Sequence, residues 1–539
     1  MPEQQTLTQE PAQTQAWRPK HNPWAIALTV TLATFMEILD TSVANVSLPH
    51  IAGALAASQN EATWVLTSYL VSNAVVLPSS AYFASVLGRK RFYMTCVALF
   101  GASSFLCGIA PSLPLLLFFR VLQGMGGGGL APCEQSILAD TFEPARRGQA
   151  FALYGFAVVT APAIGPTLGG WITDNYDWRW IFFINIPVAI ASLILTNRLV
   201  EDPPHIAEEA RKTKQAGFSM DFLGFGLVGL TFGSLEVILD KGQEDDWFGS
   251  RFITTFFWFA VLGMLGFIAW EIRQIRQHKR PILDLTLLKN RTFALSFLMM
   301  FIIGVALYGT TVLIPQLLQT LMGYTAEKAG MALSFGGLTT MVCMPIVGML
   351  IGRVDARYLT AFGFSALAIS LFHMMSLDLQ MSFSYAAMLR IYQASGLAFL
   401  FIPINTLSYS GVPMRKSNDV SGLINLARNI GGSTGTALFT TLLARHSQVH
   451  QNFLIAHVSR VNPLLQPRLD GLSRQFMAAG SGMTEASNQA MAQVYRSVQQ
   501  QAAVLAYLDV IQFFAIAALC MIPLVFLMRR TRAGGAMAH

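Results

Sequence analysis

A chain of 539 residues with 53% hydrophobic and only 12% charged side chains, and a mean hydropathy of +0.49, cannot be a soluble protein of several ordinary domains. The net charge of +7 would suit a nucleic-acid binder, but the basic residues sit in short loops between apolar runs. That pattern orients membrane proteins, so the bilayer rather than nucleic acid is the expected environment and partner.

Apolar runs long enough to cross ~30 Å of hydrocarbon occur at 24–48, 62–83, 92–110, 114–138, 149–173, 180–197, 221–239, 252–270, 293–319, 327–351, 358–376, 382–406, 420–443 and 504–528. They predict an all-α integral membrane protein with fourteen transmembrane helices. The polar stretch 1–23 leads straight into a span longer than a signal-peptide core, so no cleaved signal is expected. The five cysteines, Cys96, Cys107, Cys133, Cys343 and Cys520, fall in apolar runs and read as small hydrophobes rather than a disulfide framework. An even number of spans puts both termini on one side, and 24 of the 36 Lys and Arg residues fall in segments on that side. Both termini are therefore expected in the cytoplasm.

Two charged stretches, 198–220 and 271–292, bracket spans 7 and 8. The predicted organisation is a tail (1–23), a six-helix bundle (24–198), two inserted helices with cytoplasmic linkers (199–292), a second six-helix bundle (293–528) and a tail (529–539). The second bundle includes a periplasmic loop, 444–503, rich in Gln, Ser and Asn. Within it Met491, Val494, Tyr495, Val498 and Ala502 recur at helical spacing, which predicts an outward extension of span 14 as a solvated helix or a docking surface. An internal repeat supports two bundles: Arg120, Gln123 and Pro132 in span 4 are matched by Arg390, Gln393 and Pro403 in span 12. Parallel repeats of six helices are a transporter architecture with the substrate site near mid-membrane between the halves.

Span 1 carries two carboxylates, Glu37 and Asp40, near its middle. Thr34, Glu37, Asp40, Thr41, Ala44, Asn45 and Leu48 share an arc of about 140° on a helix, while Phe35, Met36, Leu39, Val43 and Val46 lie outside it, a face suited to lipid. A charge exposed to lipid costs ~2.5 to 3.5 kcal/mol or more, so intramembrane acids usually mark ion or substrate paths. Glu37 and Asp40 are the candidate proton-coupling groups; stapling of helices by hydrogen bonds is the alternative. Counting residues along spans 1 and 4 puts Asp40 and Arg120 both roughly 10 to 12 Å below the outer end, where Arg120 is the candidate charge partner.

Other polar positions carry less weight. Gln123 accompanies Arg120, and Glu134, near the inner end of span 4, is expected to reach water. Arg428 in span 13 is a candidate for a buried charge network or a helix-positioning hydrogen bond. Asp509 and Glu236 sit near outer ends. His446 and His450 are four apart in the polar loop with no further ligand in sequence, so no metal is expected. Span 5 holds Pro162, Gly165, Pro166, Gly169 and Gly170; the prolines bend the helix and the glycines admit a close neighbour, as a seal between rocking bundles would need. No phosphate loop or hydrolase triad is present, so an enzyme is not expected, no cofactor is implied, and active transport would draw on an ion gradient.

The motifs LDTSVANVSLP (39–49), GRKR (88–91), RVLQG (120–124), APAIGPTLGG (161–170) and WRWIFFINIP (178–187) together resemble the major facilitator superfamily, in particular its fourteen-span drug:proton antiporters of the EmrB type. The resemblance covers about 24 to 528. It implies a proton-driven exporter of hydrophobic or amphipathic compounds in the bacterial inner membrane, with Asp40 as the span 1 acid, Arg120 as the span 4 arginine and Gly165-Pro166 in the antiporter signature. It also implies a periplasmic adaptor and an outer-membrane channel as partners. One departure stands out: in the loop between spans 2 and 3 the family's first glycine and its aspartate are replaced by Ala81 and Ser85, which removes that aspartate's part in gating. Glu37 lies outside the shared motif and points to cationic substrates or an additional proton. Export of a specific endogenous solute, such as a fatty acid or organic acid, is the alternative function.

Overall fold

The computed structural model describes residues 17–529 apart from 18, 144–145, 216–220, 278, 280, 352, 378, 380 and 459–462. Most of the two predicted tails, 1–16 and 530–539, lies outside the described residues. Every regular element among the described residues is a helix. We number the principal ones α1 (Pro23–Ala54), α2 (Gln59–Leu87), α3 (Arg89–Gly108), α4 (Leu113–Thr141), α5 (Arg147–Asn175), α6 (Trp180–Leu199) and α7 (Phe222–Lys241). There follow α8 (Arg251–Arg276), α9 (Arg291–Thr320), α10 (Ala326–Leu350), α11 (Ala356–Met374), α12 (Phe383–Ser408), α13 (Ser417–His457) and α14 (Met483–Val525). Each holds one of the fourteen predicted runs.

Twelve of these helices are long and apolar enough to cross a membrane by length and composition. The exceptions are α11, which carries Arg357 and His373 in its end turns, and α13, whose first half bears Asn418, Asp419, Ser421, Asn425 and Arg428. Helix starts follow capping rules: Ser58 and Glu61 form a reciprocal capping box on α2, and Asn290 caps α9. Proline inside a helix breaks the backbone ladder less often than expected here. Pro162 and Pro166 both lie within the continuous α5. By contrast the regular helix of α4 is interrupted at Gly128-Gly129, between helical stretches Leu113–Gly127 and Leu130–Thr141.

The segment 444–503, predicted as an outer loop whose last part extends span 14 as a helix, is mostly a helical hairpin that includes that extension. Helix α13 continues fourteen residues past the predicted end of span 13 to His457, a further helix (Leu465–Ala478) packs on α14, and α14 starts at Met483. Its arms are rich in Ala, Gln and other straight-chain residues, which prolong a helix already nucleated in the membrane region.

A chain of contacts gathers the ends of the helices. Trp24 packs on Phe142 with ring centroids 5.1 Å apart, Lys20 lies 3.7 Å from Glu201, and Lys90 N donates to Asp202. Arg89 donates to Ser417 Oγ, Lys416 pairs with Asp284, and Arg529 N donates to Thr292 Oγ1. The first and last described helices therefore emerge at the same end of the bundle, opposite the hairpin.

Helix α1 is an interior helix, which corrects the expectation of one polar and one lipid face. Met36 and Val43 are buried, whereas Asn45 is exposed. The reason is that α1 packs against α2, α5 and α6 at once, so little of its circumference is left for lipid. Helix α5 lies between α1 of the first bundle and α10 of the second and joins the two halves along its length.

Candidate transport cavity and its charge network

Between the bundles lies a cavity of about 190 Å³ lined by α1, α2, α4, α7, α9 and α13. Its polar wall includes Glu37, Tyr69, Asn73, Glu236, Asp240, Tyr308 and Arg428. The remaining lining is largely Gly, Ala, Leu and Pro, the mixture of apolar surface and a few aimed polar groups typical of small-molecule sites.

Glu37 faces this cavity. Its Oε1 accepts from Tyr69 Oη at 2.9 Å and Asn73 Nδ2 at 3.2 Å, two side chains four apart on α2 and hence on one face. Asp40, one turn later, points instead into the wall of the first bundle and is 2% exposed. There Arg120 Nη1 donates to its Oδ2 at 2.6 Å, while Gln123 Nε2 at 3.0 Å and Asn185 Nδ2 at 2.6 Å donate to its Oδ1. Arg120 is held by two further acceptors, Val65 O at 2.9 Å and Gln123 Oε1 at 2.7 Å. These hydrogen bonds offset part of the cost of desolvating two charges, and removing either partner would leave the other charge buried and uncompensated. Between the two acids stands Tyr69, with its hydroxyl on Glu37 and its ring 4.5 Å from the Arg120 guanidinium carbon.

Arg428 also reaches the cavity, and its Nη1 donates to Tyr154 Oη at 2.5 Å. Glu134, expected to reach water, is fully buried and accepts from Thr31 Oγ1 at 2.5 Å. Its distance from the end of α4 is as expected, but α1 and α13 cover that end of the helix. Glu236 is likewise buried, accepting from Ser433 Oγ at 2.7 and 3.0 Å. It belongs to the cavity because inserted helix α7 lies in the crevice between α2 and α13. Asp240, one turn further on, also lines the cavity and accepts from Thr67 Oγ1.

In α5, a Cβ at Gly165 would collide with Ser42, and one at Gly169 would sit 3.0 Å from Val43 Cα. Ser42 Oγ donates to Pro162 O at 3.2 Å. This close approach fixes the turn of α1 just after Asp40. Gly170 takes no part in it, since the nearest atom to a Cβ there is 3.9 Å away. Pro166 lies on the α10 side, near Gly330.

At the end where the termini emerge, polar side chains bridge the bundles. Arg89 pairs with Asp140 at 2.8 Å and donates to Ser417 Oγ across the interface at 3.1 Å. Gln135 donates to Asn405 at 3.1 Å and accepts from Asn425 at 2.8 Å. Asp140 thus partners the GRKR segment through Arg89. Sequence reasoning missed Tyr69, Asn73, Asn185 and Asp140; the available signal for the first three was a polar residue interrupting an apolar run, whereas Asp140 falls between the predicted runs 114–138 and 149–173. The internal repeat has a structural counterpart, since Arg390 Nη1 donates to Gln393 Oε1 at 2.6 Å as Arg120 does to Gln123.

His446 and His450 lie on α13, not in a loop, and a third group joins them. Asp509 Oδ2 on α14 meets His446 Nδ1 at 2.6 Å and His450 Nε2 at 2.7 Å.

Two bundles around a shared cavity with charged side chains buried between the helices are the architecture of a membrane transporter. The chain belongs to the Major Facilitator Superfamily, whose family model matches residues 30–436. It is 35% identical over 471 residues to the Multidrug export protein EmrB of Escherichia coli (strain K12), covering 86% of this chain and 90% of that one. It is 33% identical over 514 residues to the Fatty acid resistance protein FarB of Neisseria gonorrhoeae, covering 95% and 97%. Among solved structures, the human organic anion transporter MFSD10 superposes with a TM-score of 0.56 at 12% identity, covering 94% of this chain and all of that one. The proton:xylose symporter XylE gives 0.54 at 15%, covering 90% and 94%. These two share the fold. Family and apolar helices together make this a multi-pass protein of the bacterial inner membrane, a transporter of small molecules.

Proposed function

We propose that this protein exports amphipathic drugs and related toxic compounds by alternating access in exchange for protons, and that it favours cations. The observation that carries the reading is Glu37 in the cavity, tied through Tyr69 to the buried Asp40–Arg120 pair. A cationic substrate and a proton would compete for Glu37. Occupancy there repositions Tyr69, whose ring covers Arg120, so the state of the cavity acts on the pair that holds α1, α4 and α6 together. Three carboxylates, Glu37, Glu236 and Asp240, line the cavity against the single guanidinium of Arg428, which supports cations over anions. The similarity to multidrug export proteins supports the same reading.

We further propose fourteen crossings, cytoplasmic termini and bundles at 24–198 and 293–528 joined by the insert 199–292. The basic end of the molecule and the common end of the helices support this. The α13–α14 hairpin would then reach into the periplasm, where a periplasmic adaptor leading to an outer-membrane channel would meet it. A second reading, export of a fatty acid or other organic acid, has the likeness to FarB and the cavity position of Arg428 in its favour.

The experiment is proteoliposome transport with an imposed pH gradient. A fluorescent amphipathic cation should move in a gradient-dependent, uncoupler-sensitive manner, and Glu37→Gln should abolish it at normal protein levels. Gradient-driven movement of a fatty acid but not of the cation would replace the first reading by the second.

A further inference from the structure

We propose that His446, His450 and Asp509 form a divalent transition-metal site, with zinc the best-fitting ion, which clamps the hairpin at its base. The two histidines are one helical turn apart on α13, so both rings project from one face. The acid comes from the facing helix α14, and a single oxygen, Oδ2, meets Nδ1 of one ring at 2.6 Å and Nε2 of the other at 2.7 Å. All three ligand atoms lie within 4.8 Å of one another.

Two neutral imidazoles and one carboxylate are a borderline donor set carrying one negative charge, suited to Zn²⁺ rather than to Ca²⁺ or Mg²⁺. Bonds of ~2.0 to 2.1 Å at tetrahedral angles set ligand atoms ~3.3 Å apart. The carboxylate oxygen therefore has to retreat by roughly 0.7 Å from each ring to admit the ion. It has room to do so, because the side chains are 43% (His446), 25% (His450) and 34% (Asp509) exposed. The same exposure gives an ion an entry path and leaves a fourth position for water. The site is separate from the cavity, none of whose lining residues it shares.

Bound metal would tie α13 to α14 where both leave the apolar region and so stiffen the hairpin arms, residues 444–457 and 483–503. The test uses the full-length protein in nanodiscs, stripped with chelator, with Zn²⁺ titrated calorimetrically and Co²⁺ as a spectroscopic probe. One equivalent of Zn²⁺ should bind with a Kd in the micromolar range or below, and Co²⁺ should develop the intense visible bands of a four-coordinate site. His450→Ala and Asp509→Asn should each weaken binding by about tenfold or more, and Zn²⁺ should slow hydrogen exchange in the hairpin arms of the wild type alone. Zinc binding equal in wild type and in the His446→Ala/His450→Ala double variant would overturn the proposal. So would a Co²⁺ spectrum that stays octahedral in the wild type, a result that needs no variant to fold.

Discussion

Tyr69 donates its hydroxyl hydrogen to Glu37 across 2.9 Å while its ring lies 4.5 Å from the guanidinium carbon of Arg120. One side chain thus touches both the acid that sees the cavity and the cation that neutralises the acid that does not. The two span 1 carboxylates lie only about 60° apart around the helix axis, yet their environments differ because Glu37 meets Tyr69 and Asn73 of α2 while Asp40 meets Arg120 and Gln123 of α4 and Asn185 of α6.

The division of labour between the acids is testable at Tyr69. Tyr69→Phe keeps the ring over Arg120 and deletes the donor to Glu37, so the protein should remain folded while gradient-driven cation efflux falls by about tenfold. Passive dye binding should weaken far less. Unaltered dependence of efflux on the pH gradient would show that this hydroxyl plays no part in coupling.

Asp40→Asn leaves Arg120 as a buried charge lacking its anion, and should lower stability by about 3 to 5 kcal/mol. Adding Arg120→Gln removes the remaining charge and should restore much of the melting temperature. Transport by the restored double variant then separates the roles: loss of gradient coupling assigns the pair to coupling, and full coupling makes it a structural brace with Glu37 as the titrating group.

A Cβ at Gly127 would collide with the Tyr69 hydroxyl and sit 3.1 Å from Asn73 Nδ2, the two donors to Glu37. Gly127→Ala should therefore depress cation efflux as strongly as Tyr69→Phe, although it alters no polar group. Gly170→Ala, with 3.9 Å of clearance, should be neutral, and comparing the two in one efflux assay controls for general effects of adding a methyl group.

The Arg89–Asp140 pair, with Ser417 across the interface, holds the bundles together at the end where the termini emerge. Asp140→Asn should loosen that contact and favour the state open at this end. Disulfide trapping between cysteines replacing Gln135 and Asn405, whose side chains meet at 3.1 Å, should become less efficient in the variant; equal trapping would show that the pair does not hold the gate.

Outside the membrane-spanning segments, Asp284 is half-buried, which opposes its charge, yet Lys416 at 2.5 Å and Thr286 hold its carboxyl below the ordinary 3.8. A depressed carboxyl contributes stability that is present above its ordinary value and is lost as the pH falls through the folded value. Asp284→Asn should thus lower the melting temperature near neutral pH, by an amount equivalent to about 1 kcal/mol or less for so exposed a lysine. The difference from wild type should shrink as the pH is taken below 3.8.

Helix positions were legible because every apolar run had to satisfy its own backbone within the membrane, so length and hydropathy alone specify a helix. The position of Glu37 and Asp40 in span 1, the Arg120 depth match and the twin Arg–Gln elements were readable for the same local reason. Burial was not readable: Glu134 counts as near a helix end along α4, and only neighbouring α1 and α13 remove it from water. The α14 arm was legible from Met491, Val494, Tyr495, Val498 and Ala502 at helical spacing, whereas the continuation of α13 to His457 was not, since a helix leaving the membrane needs only residues that tolerate helical geometry.

The sequence by itself determined the class of solvent, the helices, the repeat and the acids that need partners, all of which follow from composition and spacing within single segments. Tertiary structure alone decided which acid faces the cavity, that Asp140 pairs with Arg89, that inserted α7 contributes Glu236, and that Asp509 joins His446 and His450. Those relations connect residues far apart in the chain, and helix periodicity specifies a direction from each axis but not which neighbour stands there.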